Sequence, residues 1–137
     1  MNDSHKSGVI AELKAQIYYV EEGYEVYSPL MSQSKCDFIA CKGSEVIKVQ
    51  VKKATENPTR FGTYLQIRLQ GRSTEYGCRV YTREDFDELI ISYKDNLWKL
   101  PVDLVLDKKS LTFGKLLNGE IITGSRSSVK TEEHKVR

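Results

Sequence analysis

The sequence predicts an α/β (α+β) domain in which one long N-terminal helix packs on a mixed, largely antiparallel sheet. Three observations carry this. Val9, Leu13, Ile17 and Val20 recur at helical spacing near the N-terminus. Short segments alternating apolar and polar residues follow, separated by Gly, Pro and Asn turns. With 39% hydrophobic and 29% charged residues among 137, the composition fits one folded domain rather than a disordered chain.

The elements follow in order. Asp3 or Ser4 is placed to cap a helix over about residues 5–22. Its stripe of Val9, Leu13, Ile17 and Val20 is expected to be buried, with Gly8, Ala11 and Ala15 as small neighbours and Gly23 as the stop. Residues 24–27 read as a strand ended by Pro29. Residues 37–40 and 45–53 form a hairpin about the turn at Lys42, Gly43 and Ser44. In its second strand Ile47, Val49 and Val51 point inward, and Lys48, Gln50 and Lys52 share the other face.

Residues 57–62 read as a loop, and 63–70 as a strand with Leu65, Ile67 and Leu69 inside. Residues 71–84 read as a long loop, and 89–93 with 97–100 as a second hairpin closed by Pro101. Residues 111–113 and 120–122 are short strands or a short helix. The domain therefore runs over 1–123, followed by a basic, flexible tail over 124–137. Apolar residues beyond about position 100 (Val102, Leu104, Val105, Leu106, Leu111, Phe113, Leu116 and Leu117) supply oligomerisation elements.

No apolar run approaches the ~20 residues of a membrane span, and the N-terminus lacks a signal-peptide core. Three cysteines, an odd number, then suggest reduced thiols and a cytoplasmic protein. The net charge of +2 excludes a histone-like wrapping protein, yet it conceals a pattern. Residues 1–41 carry −3, 42–83 carry +6, 84–107 carry −5 and 108–137 carry +4. A central basic block points to a polyanionic partner.

That block contains the strand with Gln50 and Lys52, and the candidate chemistry joins it to Glu12 and Asp37 in the acidic segment before it. Asp37 opens an apolar strand, and the hairpin returns Gln50 and Lys52 beside it on one face. Glu12 lies on the helix among small residues. Asp37, Glu12, the Gln50 amide oxygen and a carbonyl near Val51 are hard oxygen donors suited to Mg²⁺. Lys52 is suited to orient water or to offset charge developing on a phosphate. The chemistry such a set serves is phosphodiester hydrolysis.

The order of helix Glu12, strand Asp37, hairpin and Gln50-Val51-Lys52 resembles the PD-(D/E)XK nuclease superfamily. Residues 8–54, with the GYEVYSP strand and the VQVKKA segment, are similar to its small single-domain members. These include the archaeal-type Holliday junction resolvases and, more closely, the homing endonucleases of bacterial group I introns, among them a tRNA-gene-intron type with a Gln-x-Lys site. Two departures stand out: Gln50 replaces the acid two before the lysine, and Cys36 rather than proline precedes Asp37. Gln50 keeps an oxygen and loses a charge, which shifts weight to Asp37 and Glu12.

The resemblance implies a restriction-endonuclease-like core with Glu12, Asp37, Gln50 and Lys52 as catalytic residues and Glu12, Asp37, Gln50 and Val51 as metal ligands. It further implies Mg²⁺, replaceable by Mn²⁺, sequence-specific hydrolysis of double-stranded DNA in support of intron mobility, and action at the nucleoid. A homo-oligomer is expected, a tetramer favoured over a dimer, with no membrane partner. For DNA contact the candidates are Ser34, Lys35, Lys53, Arg60, Tyr64, Gln66, Arg68, Gln70, Arg72 and Arg79, the strand at 61–72 acting as a ribbon in the major groove. The competing readings are a Holliday junction resolvase and a non-catalytic DNA-binding protein of the same fold.

Overall fold

The computed structural model describes residues 2–31, 34–74 and 77–137, and the side chains at all of these positions except 70–79. Helix α1 spans Asp3–Glu21. Its N-cap is Asn2, one residue before the expected Asp3 or Ser4, whose side-chain oxygen accepts the His5 amide at 2.7 Å. Strands β1 (Glu25–Tyr27), β2 (Phe38–Lys42), β3 (Glu45–Lys53), β8 (Glu88–Tyr93) and β9 (Asn96–Pro101) form one sheet in the order β1-β2-β3-β8-β9. All its pairings are antiparallel except β3 with β8. Strands β4 (Thr55–Thr59), β5 (Gly62–Arg68), β10 (Ser110–Leu117) and β11 (Glu120–Ile122) form a second, antiparallel sheet in the order β11-β10-β5-β4.

Two segments read as loops are therefore strands. Residues 57–59 belong to β4, an edge strand, where Pro58 is tolerated because an edge need not donate every amide. Residues 70–74 and 77–80 form the antiparallel pair β6 (Gln70–Thr74) and β7 (Gly77–Val80). Their Gly, Ser and Thr content hides a ladder that carries no apolar alternation.

The five-stranded sheet is covered on both faces. Ala15, Tyr18 and Tyr19 of α1 pack on Phe38, Ala40, Ile47, Val49, Ile90 and Leu97. On the opposite face, Leu89, Ile91, Trp98 and Leu100 meet Leu65, Ile67, Leu111 and Phe113 of the second sheet. Alternation along β8 sends Leu89 and Ile91 to one core and Ile90 to the other, so this inner strand reads as an unbroken apolar run.

The helix presents the opposite face from the one expected. Val9, Leu13, Ile17 and Val20 are 41–56% exposed, whereas Ala11, Ala15, Tyr18 and Tyr19 are buried. Alanines let the helix backbone approach the sheet closely. Tyr19 fixes the orientation, because its hydroxyl donates to Glu88 at 2.5 Å. Lys99 completes the set, 3.9 Å from Glu88 and 3.4 Å from the Tyr18 hydroxyl. Burial and the Glu88 carboxylate together push the Tyr19 phenol far above its ordinary range.

The chain after Pro101 also departs from expectation. Val102, Val105, Leu111 and Phe113 are buried, and Leu104 and Leu106 pack against the same core, so these six complete the domain, whereas Leu117 stays 47% exposed. The segment over 124–137 is docked, not loose. Thr131 is fully buried and donates its hydroxyl to the Phe113 carbonyl at 2.9 Å. Val136 donates to the Leu97 carbonyl at 2.9 Å and Leu97 to that of Arg137 at 3.0 Å. The tail thus pairs along β9, an edge strand whose amides would otherwise face solvent.

Since α1 approaches the sheet through alanine, Ala15→Leu is expected to overpack that layer and to cost about 1–3 kcal/mol. Urea unfolding measures this, and an unshifted midpoint would place the other helix face inward.

Candidate active site

The site lies where β2 begins. Asp37 lies one residue before β2, and its amide still donates to the Val49 carbonyl at 2.8 Å, extending the β2–β3 ladder. At the next step its carboxylate replaces the missing strand, with Oδ2 accepting the Val51 amide at 2.7 Å. The N–H and C=O of one strand residue face the same edge, so the Val51 carbonyl opens beside the Asp37 carboxylate. The turn that sets this register places Gly43 at φ +60°, in the left-handed region where glycine is unstrained. Burial raises the Asp37 pKa, while the Val51 amide and the nearby Lys52 charge pull it down less strongly.

Glu12 enters from α1. It lines two clefts together with Asp37, one of about 340 Å³ that also takes in Ser4, His5, Val9 and Val51, and one of about 200 Å³ that takes in Ser34 and Cys36. Desolvation raises its pKa, and the Asp37 charge adds to the shift. Two carboxyls at one cleft, each shifted toward the neutral form, make a place where a cation is favourable.

Gln50 is 9% exposed, and its amide nitrogen donates to the Val51 carbonyl at 3.5 Å, so its side chain turns toward the same edge. The Lys52 ammonium stands 5.4 Å from the Tyr81 ring centroid. The structure therefore brings together Glu12, Asp37, Gln50 and the Val51 carbonyl, and holds Lys52 one strand position away over an aromatic ring. The donors are carboxylate, carbonyl and amide oxygens, which fit a hard divalent cation such as Mg²⁺. Among the described residues no three His, Cys, Asp or Glu side chains cluster, so such an ion would also keep water ligands.

The expected DNA contacts separate into three sets. Lys53 donates to the Ser4 carbonyl at 3.2 Å and to the Ser7 hydroxyl, tying β3 to the first turn of α1. Lys35 lies 3.7 Å from the buried carboxylate of Asp85. Both lysines thus have structural partners in place of the free ammonium groups expected. Ser34 is exposed at the smaller carboxylate cleft. Arg68 is exposed at the end of β5, and Gln70, Arg72 and Arg79 lie outside the described side chains.

Arg60, Tyr64 and Gln66 meet on the outer face of the second sheet. β5 is an inner strand there, so of the segment at 61–72 only the part from Gln70 on belongs to a separate two-stranded ladder, β6 with β7. Tyr64 is buried, and Gln66 donates to the Thr112 hydroxyl at 2.8 Å. Above them Phe61 is 43% exposed, with the Arg60 and Arg126 guanidinium carbons 4.9 and 4.2 Å from its ring centroid. The Arg126 amide donates to the Tyr64 hydroxyl at 3.2 Å, which seats this turn on β5. Gly124 allows the approach, since a Cβ there would fall 2.4 Å from the Tyr64 oxygen. The sequence leaves Phe61 out of the contact set and offers Arg126 only as a weaker phosphate contact in the tail, because nothing local signals a stack between residues 65 positions apart. Tyr81 beneath Lys52 was missed for the same reason.

A family model for the PD-(D/E)XK endonucleases matches residues 2–121. Protein 5.3 of Escherichia phage T7 is 35% identical over 119 residues, covering 87% of this chain and 98% of that protein. Among solved structures, the bacterial homing endonuclease I-Ssp6803I superposes with a TM-score of 0.73 at 18% identity, over 98% of this chain and 89% of the other. At that identity the superposition shows a shared fold.

Both cleft carboxyls have raised pKa values in the folded state. The stability they contribute is complete below the ordinary carboxylate range and is lost as pH rises through the raised values. In buffer with EDTA, Asp37→Asn keeps an acceptor for the Val51 amide and removes the charge. It is expected to raise the melting temperature at neutral pH, with the gain vanishing as pH falls to about 4. A gain that grows on acidification would contradict the assignment.

Proposed function

This chain belongs to the PD-(D/E)XK endonuclease family, and from that premise we propose that it is a Mg²⁺-dependent, sequence-specific endonuclease of double-stranded DNA that serves intron homing. The observation that carries the reading is the convergence of Glu12, Asp37 and the Val51 carbonyl edge at one cleft. The homing assignment draws on the fold shared with a homing endonuclease.

In this reading Asp37 and Glu12 would hold the cation, the Val51 carbonyl and the Gln50 amide oxygen would complete the protein's donors, and Mn²⁺ would replace Mg²⁺. The ion supplies concentrated positive charge that polarises the scissile phosphate. Asp37 is held in place by the Val51 amide, so its free oxygen needs little reorganisation to meet the ion. Gln50 contributes an oxygen without a charge, which leaves the neutralisation to the two carboxylates. Lys52 leaves the Tyr81 ring to offset charge growing on the phosphate or to orient the attacking water. Because the cleft carboxyls have raised pKa values, cation binding weakens at a higher pH than ordinary carboxylates would allow.

The Arg60–Phe61–Arg126 stack is the proposed contact to the DNA. Guanidinium groups pair with phosphate or guanine, and the exposed ring gives them a rigid base. One such site cuts one strand, so a double-strand break requires at least two copies, as a dimer or a tetramer.

Cleavage of supercoiled and linear duplex targets, selected from a random library in Mg²⁺, tests the reading. Asp37→Asn and Lys52→Ala are each expected to lower cleavage by roughly 10²-fold or more, while binding in a gel-shift assay stays within about threefold. Cutting of four-way junctions alone would favour the resolvase reading, and binding without cutting in any divalent ion the non-catalytic one.

Arg126→Ala is expected to weaken binding about evenly across sequences and to reduce the salt slope by about one. A titration of affinity against KCl measures this, and an unchanged slope would remove Arg126 from the DNA face.

A further inference from the structure

Helix α1 is apolar on two opposite faces, and the domain uses one of them. Val9, Ile10, Leu13, Ile17 and Val20 lie within about 100° of arc at 3.6 residues per turn, opposite Ala11, Ala15, Tyr18 and Tyr19. They are 41–56% exposed, in a stripe about 17 Å long at 1.5 Å per residue. Beside the Gln16 flank, where Ser28 lies 3.4 Å from the Gln16 amide, Leu30 and Met31 add 102% and 72% exposed apolar surface.

We propose that the stripe pairs with the same stripe of a second copy of this chain, antiparallel and centred on Leu13. The argument rests on the nuclease reading above and adds the surface by which two copies associate. A net −3 over residues 1–41 disfavours nucleic acid or anionic lipid on the stripe, and the double-strand cut proposed above calls for a second copy of the chain. Charge also selects the direction. Lys6 sits at one end of the stripe and Glu21 at the other, so antiparallel copies bring Lys6 to the partner's Glu21, while parallel copies stack like charges. Glu21 already takes Arg137 of its own chain, and the adjacent Glu22 keeps that end acidic.

The pairing also places the active sites. The two-fold axis of an antiparallel pair is normal to the plane of the helices, so each flank of α1 emerges on the same side in both copies. Glu12 lies on one flank, and the carboxylate cleft it lines includes Val9 at the edge of the stripe. Both clefts therefore open to one side, the arrangement needed to cut the two strands of a single duplex.

Sedimentation of the full chain at micromolar concentration provides the test. The wild type is expected at twice its 15.7 kDa mass or a multiple of it, and Leu13→Glu at half the wild-type value, with an unchanged circular dichroism spectrum. In a plasmid assay the same variant shifts the product from linear to nicked circles. Leu13→Cys, at the two-fold, is expected to crosslink to itself on mild oxidation, whereas Lys6→Cys is not. A monomeric wild type, or an oligomer indifferent to Leu13→Glu, overturns the interface whatever the nuclease activity. An oligomer that Leu13→Glu dissociates, but that cuts no DNA, upholds the interface and overturns the nuclease reading instead.

Discussion

The Asp37 carboxylate bonded to the Val51 amide is the contact on which the rest of the site depends. β2 begins only at Phe38, opposite Val49, yet β3 runs on to Lys53, which leaves the last residues of β3 without a β2 partner on that edge. Asp37 closes the first open position with its main chain and the second with its side chain. A side chain thus does the work of a strand, and the cost of burying its charge appears as a raised pKa. Beyond that contact the edge is free to offer the Val51 carbonyl to the cleft.

Everything that positions Glu12 acts through the same sheet. The Tyr19–Glu88–Lys99 set pins the C-terminal half of α1 to β8 and β9, and Lys53 ties its first turn to the end of β3. Between these two ties Ala11 and Ala15 bring the helix close enough for Glu12 to share a cleft with Asp37. Lys53 would be unremarkable on a solvated strand; here it acts as a brace next to the chemistry, while Lys52 faces the opposite core beside Tyr81.

Much of the architecture was legible because strands and turns announce themselves locally. The hairpin of β2 and β3, the hairpin of β8 and β9 and the strand β5 follow from alternation and turn residues. The polar β6–β7 pair did not, since alternation signals a ladder only where one face is apolar. Period alone could not choose the inner face of α1. The large aliphatic stripe outscores the alanine face by hydrophobicity, but close approach and the Tyr19–Glu88 bond favour the smaller residues.

By itself, the sequence determined the identity and order of the candidate groups: Glu12 on a helix, Asp37 at a strand start, and Gln50, Val51 and Lys52 in a hairpin return. It could do so because strand spacing and turn position set which residues share a face within one hairpin. Only the tertiary structure decided what lies between distant segments. It placed Arg126 on Phe61, Asp85 against Lys35, Tyr81 under Lys52 and the tail on β9. It also decided which face of α1 the domain keeps. These contacts join residues far apart in the chain, and no local spacing encodes them. They depend on how two sheets and a helix stack, and on which groups burial forces to find a partner.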